Sequence, residues 1–164
     1  AALTGHLVLS TLHTNSAAAT VTRLIDMGIE PFLIASSIVC VVAQRLVRKL
    51  CPDCKQVYKP EAELLKRLGL SDKEAADIKF YKPVGCDNCS NTGYKGRLAI
   101  FEVMVMDGDI AKLTIERADS SVIQKKAVEH GMTLLIQDGI KKIAQGLTSV
   151  EEVLAASTTG ESLE

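Results

Sequence analysis

Four of the chain's five cysteines fall into two Cys-x-x-Cys pairs, Cys51/Cys54 and Cys86/Cys89, with 31 residues between the pairs (55–85). Two thiolates from one tight turn fill half of a tetrahedron around a metal ion, and a second turn of the same kind completes it. The spacing therefore predicts one closed, structural zinc site made of Cys51, Cys54, Cys86 and Cys89. Four thiolates leave no open position for water, so no catalysis is expected at the metal itself. Asp53 and Asn88 suit the two turns, and Gly85 and Gly93 permit close or left-handed backbone. The rival is a pair of redox turns or disulfides, but a redox Cys-x-x-Cys is usually single and stands near a βαβ pattern. Cys40, within Ile38-Val39-Cys40-Val41-Val42, reads as a small buried hydrophobe.

A second group of reactive side chains flanks an apolar run near the start. Thr4-Gly5-His6 precedes Leu7-Val8-Leu9-Ser10-Thr11-Leu12, which reads as a buried strand, and His13-Thr14-Asn15 follows it. Ligands of α/β proteins lie beyond the carboxyl ends of strands, where His13, Thr14 and Asn15 are expected. His13 could donate to a phosphate oxygen, and Thr11 and Thr14 could position water or ligand. The plainer reading makes Thr14 and Asn15 helix caps, with Asn15 as N-cap, and His13 a histidine at the edge of the core. The chain has no Gly-x-x-x-x-Gly-Lys-Ser/Thr loop and no strand ending in adjacent acids for magnesium, so it is not expected to hold and hydrolyse a nucleoside triphosphate unaided.

These residues need a frame. At 164 residues the chain has the length of about one domain, and 47% hydrophobic residues give it material for a core. Aromatics are 4% and tryptophan is absent, so that core must be mainly aliphatic. Net charge is -1, from 19 Lys+Arg against 20 Asp+Glu, which gives no global attraction to nucleic acid or anionic lipid. A local basic cluster comprises Arg45, Arg48, Lys49 and Lys55. Helices are expected from Ser16 to about Met27, ended by Gly28, and over 31–39, opened by Pro31. Residues 41–50 fit helix or strand, with strand preferred in the second half. Pro60 opens a short helix to Leu68 with Gly69 behind it, and Ser71-Asp72-Lys73-Glu74 is a capping box. Arg97 to Val105 reads as a strand, so strands near 43–50 and 97–105 form a hairpin split by the cysteine module. The remainder is helical, closing with a helix capped by Thr148-Ser149 and running toward Ala156; Gly131, Gly139 and Gly146 are expected at or near breaks, with toleration inside a helix as the alternative for Gly139. The start at Ala1, without an initiator methionine, is expected of a piece of a longer protein.

Several stretches are similar to the ATPases that drive type II secretion and type IV pilus assembly. Thr4 to Asn15 resembles that family's histidine box, and Val21 to Phe32 continues the likeness. So do Ala43 to Pro52, Gly93-Tyr94-Lys95-Gly96-Arg97, Phe101-Glu102-Val103 and Asp138-Gly139-Ile140. The resemblance implies an α/β fold: part of a RecA-like ATPase domain with an inserted tetracysteine zinc module and a C-terminal helical subdomain. It implies a core part over 1–50, the module over 51–96, and a returning strand and helical subdomain over 97–156; the polar ending, 157–164, is expected to be a disordered tail. It further implies that His6 and His13 face the phosphates of ATP and couple hydrolysis to movement, with Mg2+ and the phosphate loop supplied by preceding sequence. The whole protein would be a hexamer at the cytoplasmic face of the inner membrane, working on secretion or pilus platform proteins. The tetracysteine module points toward export or extension rather than retraction. Two other classes compete: a zinc-ribbon nucleic-acid-binding module, supported by Arg45, Arg48, Lys49, Lys95 and Arg97 near the cysteines, and a purely structural docking domain.

Overall fold

The apolar periodicities become eight α-helices and four strands among residues 2–158, the residues described by the computed structural model. Helix α1 spans Ala17–Asp26; its N-cap is Ser16, whose hydroxyl accepts the Ala19 N–H, one residue later than the expected Asn15. Gly28 follows it at φ +85°. Helix α2, Pro31–Ser37, has proline at its first position, where the missing N–H costs nothing. Strand β1 occupies all of Cys40–Leu50, not only the second half of that run. Then come β2 (Gln56–Val57), α3 (Ala62–Leu68, stopped by left-handed Gly69) and α4 (Asp72–Ala76, opened by the Ser71/Glu74 capping box). Strands β3 (Tyr81–Lys82) and β4 (Tyr94–Val105) precede α5 (Gly108–Ile115), α6 (Ser120–Glu129), α7 (Leu135–Ala144) and α8 (Val150–Thr158). Residues 159–164, most of the expected tail, lie outside the described residues. No helix among the described residues is long and apolar enough to cross a membrane.

The expected hairpin is present. β1 pairs with β4, and the bonds from Cys51 N–H to the Gly93 carbonyl and from Met106 N–H to the Val39 carbonyl make the pair antiparallel. Along β4, Ile100, Glu102 and Met104 are buried while Phe101, Val103 and Val105 face outward, the period of two that a strand imposes. β2 and β3 form a second antiparallel pair, with Gln56 opposite Lys82 and Val57 opposite Tyr81.

The chain divides into two compact units. The first comprises the residues up to Ala43 together with Phe101–Leu134. There α1 packs against α6 and α2 against α5, and the core comes from Ala17, Ala18, Val21, Ile34, Met104, Ile110, Ile123 and Ala127. The second comprises Gln44–Ile100 together with the residues from Leu135 onward. Its core joins Leu65, Leu68 and Phe80 from the excursion between the paired strands to Ile143, Val150, Val153 and Leu154 of α7 and α8.

In this second unit the end of β1 is bracketed to the start of α8. The Leu50 N–H donates to the Leu147 carbonyl at 2.9 Å, and the Thr148 hydroxyl donates to the Arg48 carbonyl at 2.8 Å. Glu152 accepts from the Arg48 backbone N–H, Nε and Nη2 at 2.8, 2.9 and 2.6 Å, and the guanidinium lies 4.1 Å from the Tyr94 ring centroid. Burial pushes the Glu152 carboxyl up, but the Arg48 donors outweigh it and hold the group below the usual carboxylate range. A carboxyl depressed on folding contributes stability above its unfolded pKa, about 4.3, and loses that contribution as pH falls through the folded value. Urea midpoints followed by circular dichroism should therefore drop between about pH 5 and pH 3. Glu152→Gln should flatten this acid limb and lower the midpoint near neutrality.

Candidate metal centre and histidine segment

The first cysteine turn begins where β1 ends. Cys51 is fixed by its N–H bond to Gly93, and the Lys55 N–H returns to the Cys51 carbonyl at 3.1 Å, closing the knuckle. The second turn is a short 3-10 segment, Asp87–Cys89, after which Ser90 and Asn91 take left-handed backbone at φ +53° and +59°. Two glycines allow it to close. A Cβ on Gly85 would lie 2.7 Å from the Asn91 carbonyl oxygen, and one on Gly93 would lie 2.5 Å from the Pro83 Cβ.

These turns bring the four predicted ligands together. The Sγ atoms of Cys51, Cys54, Cys86 and Cys89 all lie within 4.8 Å of one another, with 3.9 Å from Cys51 to Cys86, 3.8 Å from Cys54 to Cys89 and 3.7 Å from Cys86 to Cys89. A tetrahedron with metal–sulfur bonds of about 2.3 Å has edges of about 3.8 Å. Disulfides would need about 2.05 Å, and all five cysteines are free. The cluster is thus able to hold a metal ion.

Backbone donors prepare the sulfurs for negative charge. The Gly85 N–H points at Cys54 Sγ (3.3 Å), and the Cys86 and Gly93 N–H groups point at Cys89 Sγ (3.3 and 3.2 Å). Burial alone would raise the Cys89 thiol, but these donors overcome it and bring the pKa down to about 6. Burial prevails at Cys86, whose pKa is raised to about 11. A side-chain chain links the knuckles: the Asn88 amide donates to Asp53, and Lys95 Nζ donates to Asn88 Oδ1 at 2.6 Å. Lys55, next to Cys54, reaches the Gly146 carbonyl beyond α7 at 2.7 Å and lies 4.6 Å from the Tyr81 ring centroid. Cys40 stays out of the cluster. It is exposed rather than buried as expected, because it starts β1 in an outward register, with Ala43 and Val47 taking the inward places.

The histidine segment belongs to the first unit. Residues 6–14 form no strand: Leu7 and Leu9 are 85% and 88% exposed. An apolar run becomes a strand only when a neighbour takes its backbone hydrogen bonds, and no strand among the described residues pairs with this one. His6 Nδ1 is 3.1 Å from the Thr4 hydroxyl. His13 and Thr11 are exposed, whereas Thr14 is half-buried, its hydroxyl 2.7 Å from that of Thr20 and 3.3 Å from the Ser16 carbonyl oxygen. Glu102 is a functional side chain whose role no sequence motif marks. It is 3% exposed and accepts the N–H of Ala17, the first residue of α1, at 2.8 Å. The signal was an acid occupying an inward place between Ile100 and Met104.

The family described as "Type II/IV secretion system protein" matches residues 1–155. The "Type IV pilus assembly ATPase PilB" of Thermus thermophilus is 49% identical over 155 residues, 94% of this chain and 17% of the relative. The "Type II secretion system ATPase E" of Vibrio cholerae is 46% identical over 154 residues, 94% of this chain and 30% of the relative. The "Type IV pilus assembly ATPase TfpB" of Acinetobacter baylyi is 46% identical over 154 residues, covering 94% and 26%. The chain thus spans less than a third of the length of these relatives.

Proposed function

Because this chain belongs to the Type II/IV secretion system protein family, we propose that it is the C-terminal part of a hexameric ATPase that powers protein secretion or pilus assembly. The observation that carries this reading is 46–49% identity across 94% of the chain to proteins named as ATPases of those two systems. It favours this reading over a nucleic-acid-binding ribbon.

In this proposal residues 1–50 are the end of a RecA-like core, 51–96 a zinc module, and 97–156 a returning strand with a helical subdomain. Zinc sits among Cys51, Cys54, Cys86 and Cys89, which the near-tetrahedral sulfur spacing supports. It supplies cross-linking rather than reaction chemistry, because four thiolates fill its coordination shell. His6 and His13 face the phosphates of ATP, with Thr11 and Thr14 beside them, while the rest of the protein supplies the phosphate loop and the Mg2+ site. The hexamer works at the cytoplasmic face of the inner membrane on platform proteins of the secretion or pilus machine.

Two measurements test the catalytic division of labour. The isolated chain should show negligible ATP turnover and no tight nucleotide binding by calorimetry, since histidines cannot replace a cradle of backbone N–H groups and its lysine. In the full-length ATPase, His13→Ala should lower kcat by about 10- to 100-fold while changing nucleotide affinity much less, the pattern of a group acting mainly in the transition state. Unchanged turnover would reject the role given to His13.

A further inference from the structure

Glu102 occupies a place where strand alternation calls for an aliphatic side chain. Ile100 and Met104, its inward neighbours on β4, are fully buried, and Glu102 itself is 3% exposed. A carboxyl group in such a row is costly unless its oxygens are used. Glu102 is used in this way: Oε1 accepts the Ala17 N–H at 2.8 Å, across 85 residues of sequence.

That N–H is one that a helix cannot satisfy from within. The first N–H groups of α1 have no carbonyl a turn earlier, and Ser16 Oγ takes only the one at Ala19, at 3.1 Å. Ala17 is fully buried and water cannot serve it. An acidic side chain at this end also opposes the positive pole of the helix. Immediately upstream, the Thr14 hydroxyl is 2.7 Å from that of Thr20, and the Thr20 hydroxyl donates to the Ser16 carbonyl at 3.2 Å. Glu102 therefore anchors the start of α1 to β4, and the threonine pair ties the residue after His13 to the first turn of that helix.

We infer that Glu102 is a positioning residue for the His13–Thr14 loop. It sets where the His13 imidazole sits through Ala17, α1 and the Thr14–Thr20 hydroxyl pair, without touching a substrate. This rests on the proposed role of His13 at the phosphates, but the placement can be measured separately from that role.

The chain has three histidines, so their ring signals can be told apart by NMR, with His6 and His130 as references. Glu102→Leu keeps a comparable volume and removes the acceptor; Glu102→Gln keeps an acceptor oxygen. In Glu102→Leu, hydrogen exchange at the Ala17 amide should quicken about tenfold or more and the His13 ring signals should move. His130 signals should stay in place, and Glu102→Gln should restore both Ala17 protection and the His13 signals. Thr20→Val, which removes the bonds of this hydroxyl to Thr14 and to the Ser16 carbonyl but leaves the Glu102 acceptor in place, should move His13 while leaving Ala17 protected, and carries the test if the leucine variant does not fold. In the full-length ATPase, Glu102→Leu should lower kcat about tenfold with KM for ATP within about twofold, and should add little in a His13→Ala background. A leucine variant with unchanged Ala17 exchange, or a Thr20→Val variant with unmoved His13 signals, overturns the inference. If His13→Ala itself leaves turnover intact, the proposed role of His13 falls, and the spectra still decide whether Glu102 positions the loop.

Discussion

Purified under reducing conditions, the chain should carry about one zinc ion per molecule, and Cys51→Ser should abolish it together with the order of the whole second unit. Structural zinc in small peptides contributes roughly 10–16 kcal/mol of apparent binding energy at neutral pH, more than the total stability of a typical domain. The excursion between the strands has few other ties at its base: β2 and β3 are two residues each, and the knuckles are held by one backbone bond from Cys51 to Gly93, the Asp53–Asn88–Lys95 chain and the Lys55 bond to the Gly146 carbonyl. Disorder should spread beyond the cysteines, because Leu65, Leu68 and Phe80 share a core with Ile143, Val150, Val153 and Leu154. Hydrogen exchange followed by mass spectrometry should show α7 and α8 losing protection along with α3 in the variant or after chelation. Helices α1 and α6, whose contacts lie in the first unit, should keep theirs. Since the ligands are thiolates, zinc should also be released as pH falls. A metal-free protein with two disulfides and unchanged α7–α8 protection would reject the whole account.

Local chemistry made much of this legible beforehand. Paired Cys-x-x-Cys spacing, the Ser71/Glu74 box, Pro31 and Gly69 each act within a few residues, and each produced the expected knuckle, cap, start or stop. What could not be read depends on partners distant in sequence. Leu7 to Leu12 has the composition of a strand, yet strand formation is decided by whether another strand takes its hydrogen bonds, and composition cannot say so. The same limit hid Glu102, whose use is a backbone N–H 85 residues away, and Arg48, held by Glu152 at a separation of 104 residues. Cys40 was misjudged because an apolar pentapeptide does not reveal strand register; a shift of one residue exchanges inside for outside. Asn15 and Ser16 are both good caps, and only the structure selects Ser16.

Gly139 lies inside α7, not at a break, and packs against Val153. Inside a helix glycine costs about 1 kcal/mol relative to alanine, so Gly139→Ala would stabilise α7 if the glycine were merely tolerated. A Cβ at this position would instead lie 2.3 Å from Val153 Cγ1 and 3.0 Å from Cγ2. Val153 is fully buried in α8, within the core that unites both helices with the cysteine excursion, so it has no open space to turn into. Overpacking of this kind costs about 1–3 kcal/mol. Net of the propensity gain, Gly139→Ala should destabilise the second unit by up to about 2 kcal/mol, and Gly139→Val, which is larger and β-branched, by more. The pairing supplies its own control. Val153→Ala alone should cost about 2 kcal/mol through the cavity it opens. In Gly139→Ala/Val153→Ala the new methyl group enters that cavity, so the double variant should be more stable than the sum of the two single changes predicts by about 1 kcal/mol or more. Urea titrations of the four proteins read this coupling directly. Simple additivity, or a stabilised Gly139→Ala, would return Gly139 to the status of a tolerated glycine and remove close contact at Val153 as the reason α7 carries it.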